Sequence, residues 1–196
     1  MSRYHGPRIH ILKRLGTLPG FGFNINRKFI EKKKTVNQYK KKKKSPFIIR
    51  LKEKQKLRFN FGLTDKTLKR YVKQARKKKK LTSETLLNNL ELRLDNIVFR
   101  LGFAPTLPAA RQLVTHGHIL LNGKKIDIPS ISCKINDLVS LKKIPKNKNI
   151  KKLKLPKFLS IDYKNFVGKI ISNLSKDDIG LNINELLVIE YYSRNF

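Results

Sequence analysis

Apolar residues recur at helical spacing from Ser45 onward. Ile48, Leu51 and Phe59 fall on one face, and this period predicts an amphipathic helix. Ser45 is suited to cap the helix, and Pro46 fits its first turn. The same helix carries a basic stripe at a spacing of four residues, formed by Arg50, Lys54 and Arg58.

A second helix is predicted after Gly62, which ends the first, with Thr64 as its cap. The inward positions of this helix are Leu68, Tyr71, Val72 and Ala75. Its outward positions are basic: Lys66, Lys69, Arg70, Lys73 and Arg76. An ordinary solvated face is the simpler interpretation of each basic stripe. Two consecutive helices with few acidic partners favour a polyanion instead.

The clearest module spans residues 82–141. One helix is predicted from Thr82 or Ser83 to Gly102, with an apolar stripe at Leu90, Leu94, Ile97, Val98 and Leu101. A different face of that helix carries Arg93, Asn96 and Arg100. A further helix, opened by Thr106 and ended by Gly117, directs Arg111, Gln112 and Thr115 outward.

Short strands follow these helices. Asn122-Gly123 between apolar runs predicts a hairpin with a type I′ turn, because both residues tolerate positive φ. Residues 137–141 supply a third strand, and residues 158–161 and 166–171 a second hairpin. Residues 183–192 are predicted to form a turn followed by a buried strand.

The pattern predicts an α+β protein in five segments. Residues 1–46 form a basic extended arm with a helical turn or two around residues 8–15, ordered only on a polyanion. Residues 47–90 form a helical domain, and residues 91–144 a small α/β module of two helices, a hairpin and a strand. Residues 145–157 are a linker, and residues 158–196 a β segment packing on the helical domain.

Charge decides the class of partner. The 196 residues contain 46 Lys and Arg against 13 Asp and Glu, a formal net charge of +33. Such a chain repels itself when compact, and a polyanion relieves that repulsion. A hydrophobic fraction of 39% still permits a core. Nucleic acid is therefore the expected partner, rather than a membrane or a small-molecule substrate.

The residues that could serve in catalysis or metal binding lack the partners and spacing that those roles need. The single cysteine, Cys133, excludes an intramolecular disulfide and has no histidine nearby in sequence to activate it. Asp177-Asp178 fits solvated surface better than a general-base pair. His116 and His118 suit donation to phosphate or a 2′-hydroxyl better than metal binding. No phosphate-binding loop or apolar membrane span occurs. We expect no enzyme activity, metal or cofactor.

Guanidinium and amide donors suit the phosphates and 2′-hydroxyls by which folded RNA is recognised. The candidate RNA-binding residues are Arg3, Arg8, Arg14, Arg50, Lys54, Arg58, Arg70, Arg76, Arg93, Asn96, Arg100, Arg111, Gln112, His116, His118 and Lys124. Those of the module can converge on one side if its helices pack by their apolar stripes.

Several stretches resemble a known family. Residues 93–102, 109–114 with His116, 119–123 and 128–130 are similar to the RNA-binding module of the family of small-subunit ribosomal protein four. The resemblance extends through residues 2–8, 51–56 and 183–193, and residues 14–20 resemble its plastid and cyanobacterial branch.

The resemblance implies a primary binder of small-subunit ribosomal RNA that nucleates assembly of the subunit body. It also implies contact with ribosomal protein five, linked to decoding accuracy, and a place near the channel through which messenger RNA enters. Some family members bind zinc through N-terminal cysteines, which this chain lacks. Residues 21–45 depart from the family pattern, which weakens any specific messenger contact there.

Two other classes and a second location stay open at this stage. An RNA-modifying enzyme carrying the same module would need a catalytic domain for which this chain has little room. A histone-like compactor would explain the charge but not the module. Abundant Lys, Asn and Ile suggest an A/T-rich genome, and no apolar signal segment follows Met1. A plastid ribosome is expected, with the cytoplasm of an A/T-rich bacterium as the alternative.

Overall fold

Two hydrophobic cores organise the chain. The computed structural model describes residues 4, 6–22, 45–143, 155–172, 174, 181 and 183–194. One core lies in a helical domain and the other in an α/β module. The chain passes from the first core to the second near residues 91–94. Because the structure combines helices with an antiparallel sheet, the fold is α+β as predicted from the sequence.

The helical domain contains α1 (Arg8–Leu15), a 3-10 turn (Pro19–Phe21), α2 (Pro46–Asn60), α3 (Asp65–Arg76), α4 (Thr82–Glu91) and α7 (Glu185–Arg194). The predicted caps are confirmed: the hydroxyl of Ser45 accepts from the Ile48 amide, and that of Thr64 accepts from the Thr67 amide. Leu57, Leu68, Leu86, Leu90 and Val188 are fully or almost fully buried where these helices meet.

The α/β module packs two helices on one sheet. The helices are α5 (Leu94–Arg100) and α6 (Leu107–Thr115). The strands are β1 (Ile119–Leu121), β2 (Lys124–Lys125), β3 (Leu138–Leu141), β4 (Leu159–Asp162) and β5 (Val167–Ile170). All pairs are antiparallel, in the order β2-β1-β3-β5-β4. Asn122 and Gly123 have φ of 52° and 78°, as the predicted type I′ turn requires.

The single helix predicted through residues 82–102 is wrong. It breaks at Leu92 and Arg93, where Arg93 is extended (φ −68°, ψ 141°) and bridges Ser132. The amides of Leu94 and Asp95 donate to the carbonyls of Ile131 and Pro129. In a continuous helix those amides would instead donate to backbone carbonyls at the end of α4. Pairing with the loop after β2 therefore replaces one turn of helix and turns the chain into the module.

The N-terminal segment differs from the expected extended arm. α1 is present as predicted, but Leu12, Leu15, Leu18 and Phe21 are buried in the core of the helical domain. The Gly20 amide also donates to the Asn60 side chain at 3.0 Å. Residues 12–21 therefore contribute to the core of the helical domain. The lysine tract 40–44 and most of the segment 21–45 lie outside the described residues.

The C-terminal prediction is partly wrong. The second hairpin exists as β4 and β5, but it extends the sheet of the module through the β3–β5 pairing rather than packing on the helical domain. The strand predicted within residues 183–192 is the helix α7. Val188 and Tyr192, four residues apart, are buried in the helical core, and the Asn184 side chain accepts from the Leu186 amide at its start. Packing on α2 therefore outweighs the strand-like apolar run 186–189.

Candidate nucleic-acid interface

Two adjoining clefts lie where the helical domain meets the module, and we call them together the junction groove. The first, of about 320 Å³, is lined by Arg70, Arg93 and Arg111 and by the hydroxyl-bearing residues Thr64, Thr67, Thr115 and Ser130. The second, of about 430 Å³, is lined by Arg8, Arg58 and Arg111 beside the rings of Tyr4, Phe21 and Phe59. Arg111 and residues 62–64 belong to both clefts.

A buried carboxylate orders the centre of this groove. Asp95 is fully buried, and Arg93 forks onto it through Nε at 3.0 Å and Nη2 at 2.8 Å. Arg111 adds Nε and Nη2 bonds to Asp95 Oδ2 at 3.0 and 2.8 Å. Burial acts to lower the pKa of Arg93, but its bonds to Asp95 and the charge of Asp95, assisted by Tyr71, raise it overall. One carboxylate faces two guanidiniums, so this part of the groove keeps a net positive charge.

A second buried carboxylate ties α4 to α5. Glu91 is fully buried and accepts from Arg100 Nη2 at 2.7 Å and from Asn96 Nδ2 at 2.5 Å. Arg93, Asn96 and Arg100, predicted to share one face of a single helix, direct their donors toward these buried acids. They point inward because the helix break at Arg93 rotates α5 relative to α4, and their donors are committed to Glu91 and Asp95.

The basic stripe of α2 is paired within the protein. Arg50 donates to Glu190 of α7 at 2.6 Å, and Lys54 contacts Asp65 at 2.7 Å. Arg58 lies 3.3 Å from Asp65 and lines the second cleft. Of the three, Arg58 therefore reaches the groove, while Arg50 and Lys54 hold α2 against α7 and α3.

The other candidate residues lie at or near the surface. Arg14, Arg70, Arg76, Gln112, His116, His118 and Lys124 are exposed. The rings of His116 and His118 are 6.2 Å apart at the end of α6. Arg8 is half-buried and donates to the carbonyls of Phe21 and Gly22. Arg3 lies outside the described residues. The groove thus gathers five of the predicted arginines: Arg8, Arg58, Arg70, Arg93 and Arg111.

Sequence reasoning missed the groove's hydroxyls and the two acids that order it. In a chain with 13 acidic residues, the spacing of Glu91 and Asp95 around Arg93 was an available signal. The Tyr71 hydroxyl, which accepts from Arg93 at 2.6 Å, had no such signal, because the contact joins residues 22 positions apart.

Cys133, the nucleophile considered from the sequence, is buried in the core of the α/β module. Burial, with the charges of Asp137 and Asp95, raises the pKa of Cys133 to about 12, so its thiol stays protonated. The described residues hold no group of three His, Cys, Asp or Glu placed to bind one metal ion. Among the described helices, none has the length and apolar character needed to cross a bilayer.

Comparison with known proteins divides the chain at the same place as the fold. Residues 3–91 match the family model of the ribosomal protein S4/S9 N-terminal domain, and residues 92–139 match the S4 domain. The chain is 50% identical over 207 residues to the small ribosomal subunit protein uS4c of Prototheca wickerhamii, and 48% over 203 residues to that of Marchantia polymorpha. Each alignment covers 99% of both chains. This chain belongs to the uS4 family of small ribosomal subunit proteins.

Membership of the uS4 family confirms the resemblance found in the sequence, including the plastid-type branch. The relatives are named as ribosomal proteins, which supports the predicted absence of enzyme activity. The boundary between the two family models lies between Glu91 and Leu92. The junction groove is therefore built where the two domains of a uS4 protein meet.

Proposed function

We propose that this uS4 protein is a primary binder of small-subunit ribosomal RNA, which it receives along the junction groove. The observation that carries the proposal is the convergence of Arg8, Arg58, Arg70 and Arg111 with four hydroxyl-bearing side chains between the two domains, while Arg93 is buried against Asp95. Guanidiniums fork onto phosphate oxygens, and hydroxyls bond phosphates and 2′-hydroxyls. These contacts recognise the shape of folded RNA without reading its bases.

Exposed cationic and polar side chains on both sides extend the proposed surface. Lys66, Arg70 and Lys73 lie on one face of α3, since their spacings are four and three residues. On the other side of the groove, Gln112, His116 and Lys124 are exposed on α6 and the first hairpin. A folded RNA junction presents several helices at once and can therefore contact both domains. A single strand would not need a surface formed by two domains.

Within the plastid ribosome, the location given by its family branch, the protein would nucleate assembly of the subunit body. Contact with ribosomal protein five and an effect on decoding accuracy belong to the same proposal, as does a place near incoming messenger RNA. A primary binder has to recognise ribosomal RNA before other proteins arrive. The groove meets this requirement because it is formed by this chain alone.

Binding to naked RNA tests the proposal. The purified protein should bind full-length small-subunit ribosomal RNA at physiological salt with no other ribosomal protein present. Arg70→Gln should weaken that binding about tenfold, the loss of about one charge-assisted contact. Lys164→Gln makes the same charge change at the turn between β4 and β5 and should leave binding within twofold of wild type, about 0.4 kcal/mol. Binding that required other ribosomal proteins would refute a primary role.

A further inference from the structure

Asp95 connects the two domains through both of its arginine partners. Arg93 carries its Nη1 donor to the hydroxyl of Tyr71 on α3, at 2.6 Å. Arg111 extends across the groove to the carbonyls of Gly62 and Phe61, at 2.9 and 3.2 Å. Each guanidinium therefore holds Asp95 with one edge and the helical domain with another.

The carboxylate is what allows the two guanidiniums to lie together. Arg93 and Arg111 both bond Asp95 Oδ2 at 2.8 Å, which brings two positive charges against one oxygen. Without the negative charge the two would repel each other in a site where water screens them poorly. The expected response is separation of the arginines and, because they bridge the domains, loosening of the domain contact.

We infer that Asp95 is a positioning residue that fixes the α/β module against the helical domain, so that the junction groove is formed before RNA arrives. The inference rests on the proposed function. Asp95 is fully buried and does not itself reach RNA. It acts by keeping Arg93 and Arg111 in place and by holding the two walls of the groove at one separation. A site ordered in advance avoids the entropy cost of ordering at the moment of binding.

The sign of the effect on RNA affinity separates this role from simple electrostatics. Neutralising an acid raises the net charge of the protein, and added positive charge tightens binding to a polyanion. Asp95→Asn should do the opposite. If the productive arrangement of the domains fell to about a tenth of the population, the apparent affinity would fall about tenfold. Asp127, exposed on the module, provides the matched change as Asp127→Asn.

The experiment measures domain geometry and RNA affinity on the same full-length variants. Spin labels at Lys73→Cys on α3 and Lys164→Cys in the β4–β5 turn report the distance between the domains without RNA. Native Cys133 is buried and its raised pKa keeps it unlabelled. We expect a narrow distance distribution in the parent and in Asp127→Asn, and a broad one in Asp95→Asn. Filter binding of full-length small-subunit ribosomal RNA should show at least about fivefold weaker binding by Asp95→Asn, and none weaker by Asp127→Asn.

Several results would overturn the inference. A narrow distribution in Asp95→Asn would do so, and so would RNA binding as tight as that of Asp127→Asn. If Asp95→Asn did not fold, Arg111→Lys would decide, because a lysine keeps the charge but cannot bond Asp95 and two carbonyls together. Its distance distribution should be broad, and a narrow one would contradict the role. Failure of the parent protein to bind RNA would refute the proposed function. The distances between the spin labels would still test whether Asp95 fixes the two domains against each other.

Discussion

The junction around residues 91–95 and the outer face of α3 use charge in opposite ways. At the junction, Glu91 and Asp95 are fully buried and each is bonded to arginine. On α3, Lys66 and Lys73 are exposed, and the one acid of its first turn, Asp65, pairs with Lys54 and Arg58 of α2. Glu91, Asp95 and Asp65 therefore fix geometry, and the exposed lysines of the α3 face are left to generate a field.

Arginine and lysine therefore have different roles in this protein. A guanidinium offers five donors in a rigid plane, so Arg111 can bond a carboxylate and two carbonyls at once. An exposed ammonium is a hydrated point charge whose exact position matters little. We expect changes to the junction acids to alter stability, changes to the arginines of the groove to alter selectivity, and changes to the α3 lysines to alter the salt dependence of binding.

The largest effect is expected for Glu91→Ala. The change leaves Arg100 and Asn96 buried without their carboxylate, and breaking such a pair costs about 3–5 kcal/mol. Urea unfolding followed by circular dichroism measures the free energy of unfolding. Asp127→Ala, an exposed acid of the same module, should change it by less than about 0.5 kcal/mol. A loss below about 1 kcal/mol for Glu91→Ala would mean that the junction acid does not stabilise the fold.

Thiol reactivity should differ strongly between the core of the α/β module, which contains Cys133, and the outer face of α3. The folded-state pKa of Cys133 is about 12, above its ordinary 9.0, so the thiolate is scarce at pH 8. We expect Cys133 to react at least about a hundredfold more slowly with a disulfide reagent than a cysteine placed at Lys73→Cys. The raised pKa also stabilises the native protein fully below pH 9 and progressively less as the pH rises toward 12. Equal reaction rates would show that the junction side of the module opens freely.

A smaller effect is expected when exposed lysines are removed. The double change Lys66→Gln and Lys73→Gln should lower the slope of log affinity against log salt by about 1.5, if each neutralises one phosphate. The free energy of unfolding should stay within about 0.5 kcal/mol of wild type. The matched pair Lys164→Gln and Lys169→Gln, on the β4–β5 hairpin, should leave the slope nearly unchanged. An equal fall for both pairs would mean that α3 has no special role in binding RNA.

The sequence predicted elements that local residues determine. Ser45, Thr64 and Thr106 cap helices as expected, and Asn122-Gly123 makes its turn, because each acts on backbone within a few residues. The break at Arg93 and the helix at the C-terminus were missed because distant contacts decide them. Arg93 pairs with Ser132, and α7 packs on α2 through the core and the Arg50–Glu190 ion pair.

The candidate site was predictable in composition but not in arrangement. The arginines of the groove were all among the residues singled out, since arginine is scarcer than lysine here and suits phosphate. Which of them face RNA and which face an acid depends on the path of the chain at the junction. Arg100 and Arg111, eleven residues apart, thus end on different carboxylates.

Selectivity for the correct RNA tests the central claim most directly, namely that guanidiniums positioned in the groove give recognition while exposed lysines give general attraction. The measurement is the ratio of affinities for small-subunit ribosomal RNA and for an unrelated structured RNA of equal length, at one salt concentration. Arg70→Gln should lower this ratio at least about fivefold, because glutamine cannot make the forked contact to phosphate that a groove arginine can make. Lys66→Gln with Lys73→Gln should weaken both affinities equally and keep the ratio. An unchanged ratio in Arg70→Gln, or an equal fall in the lysine variant, would contradict the account.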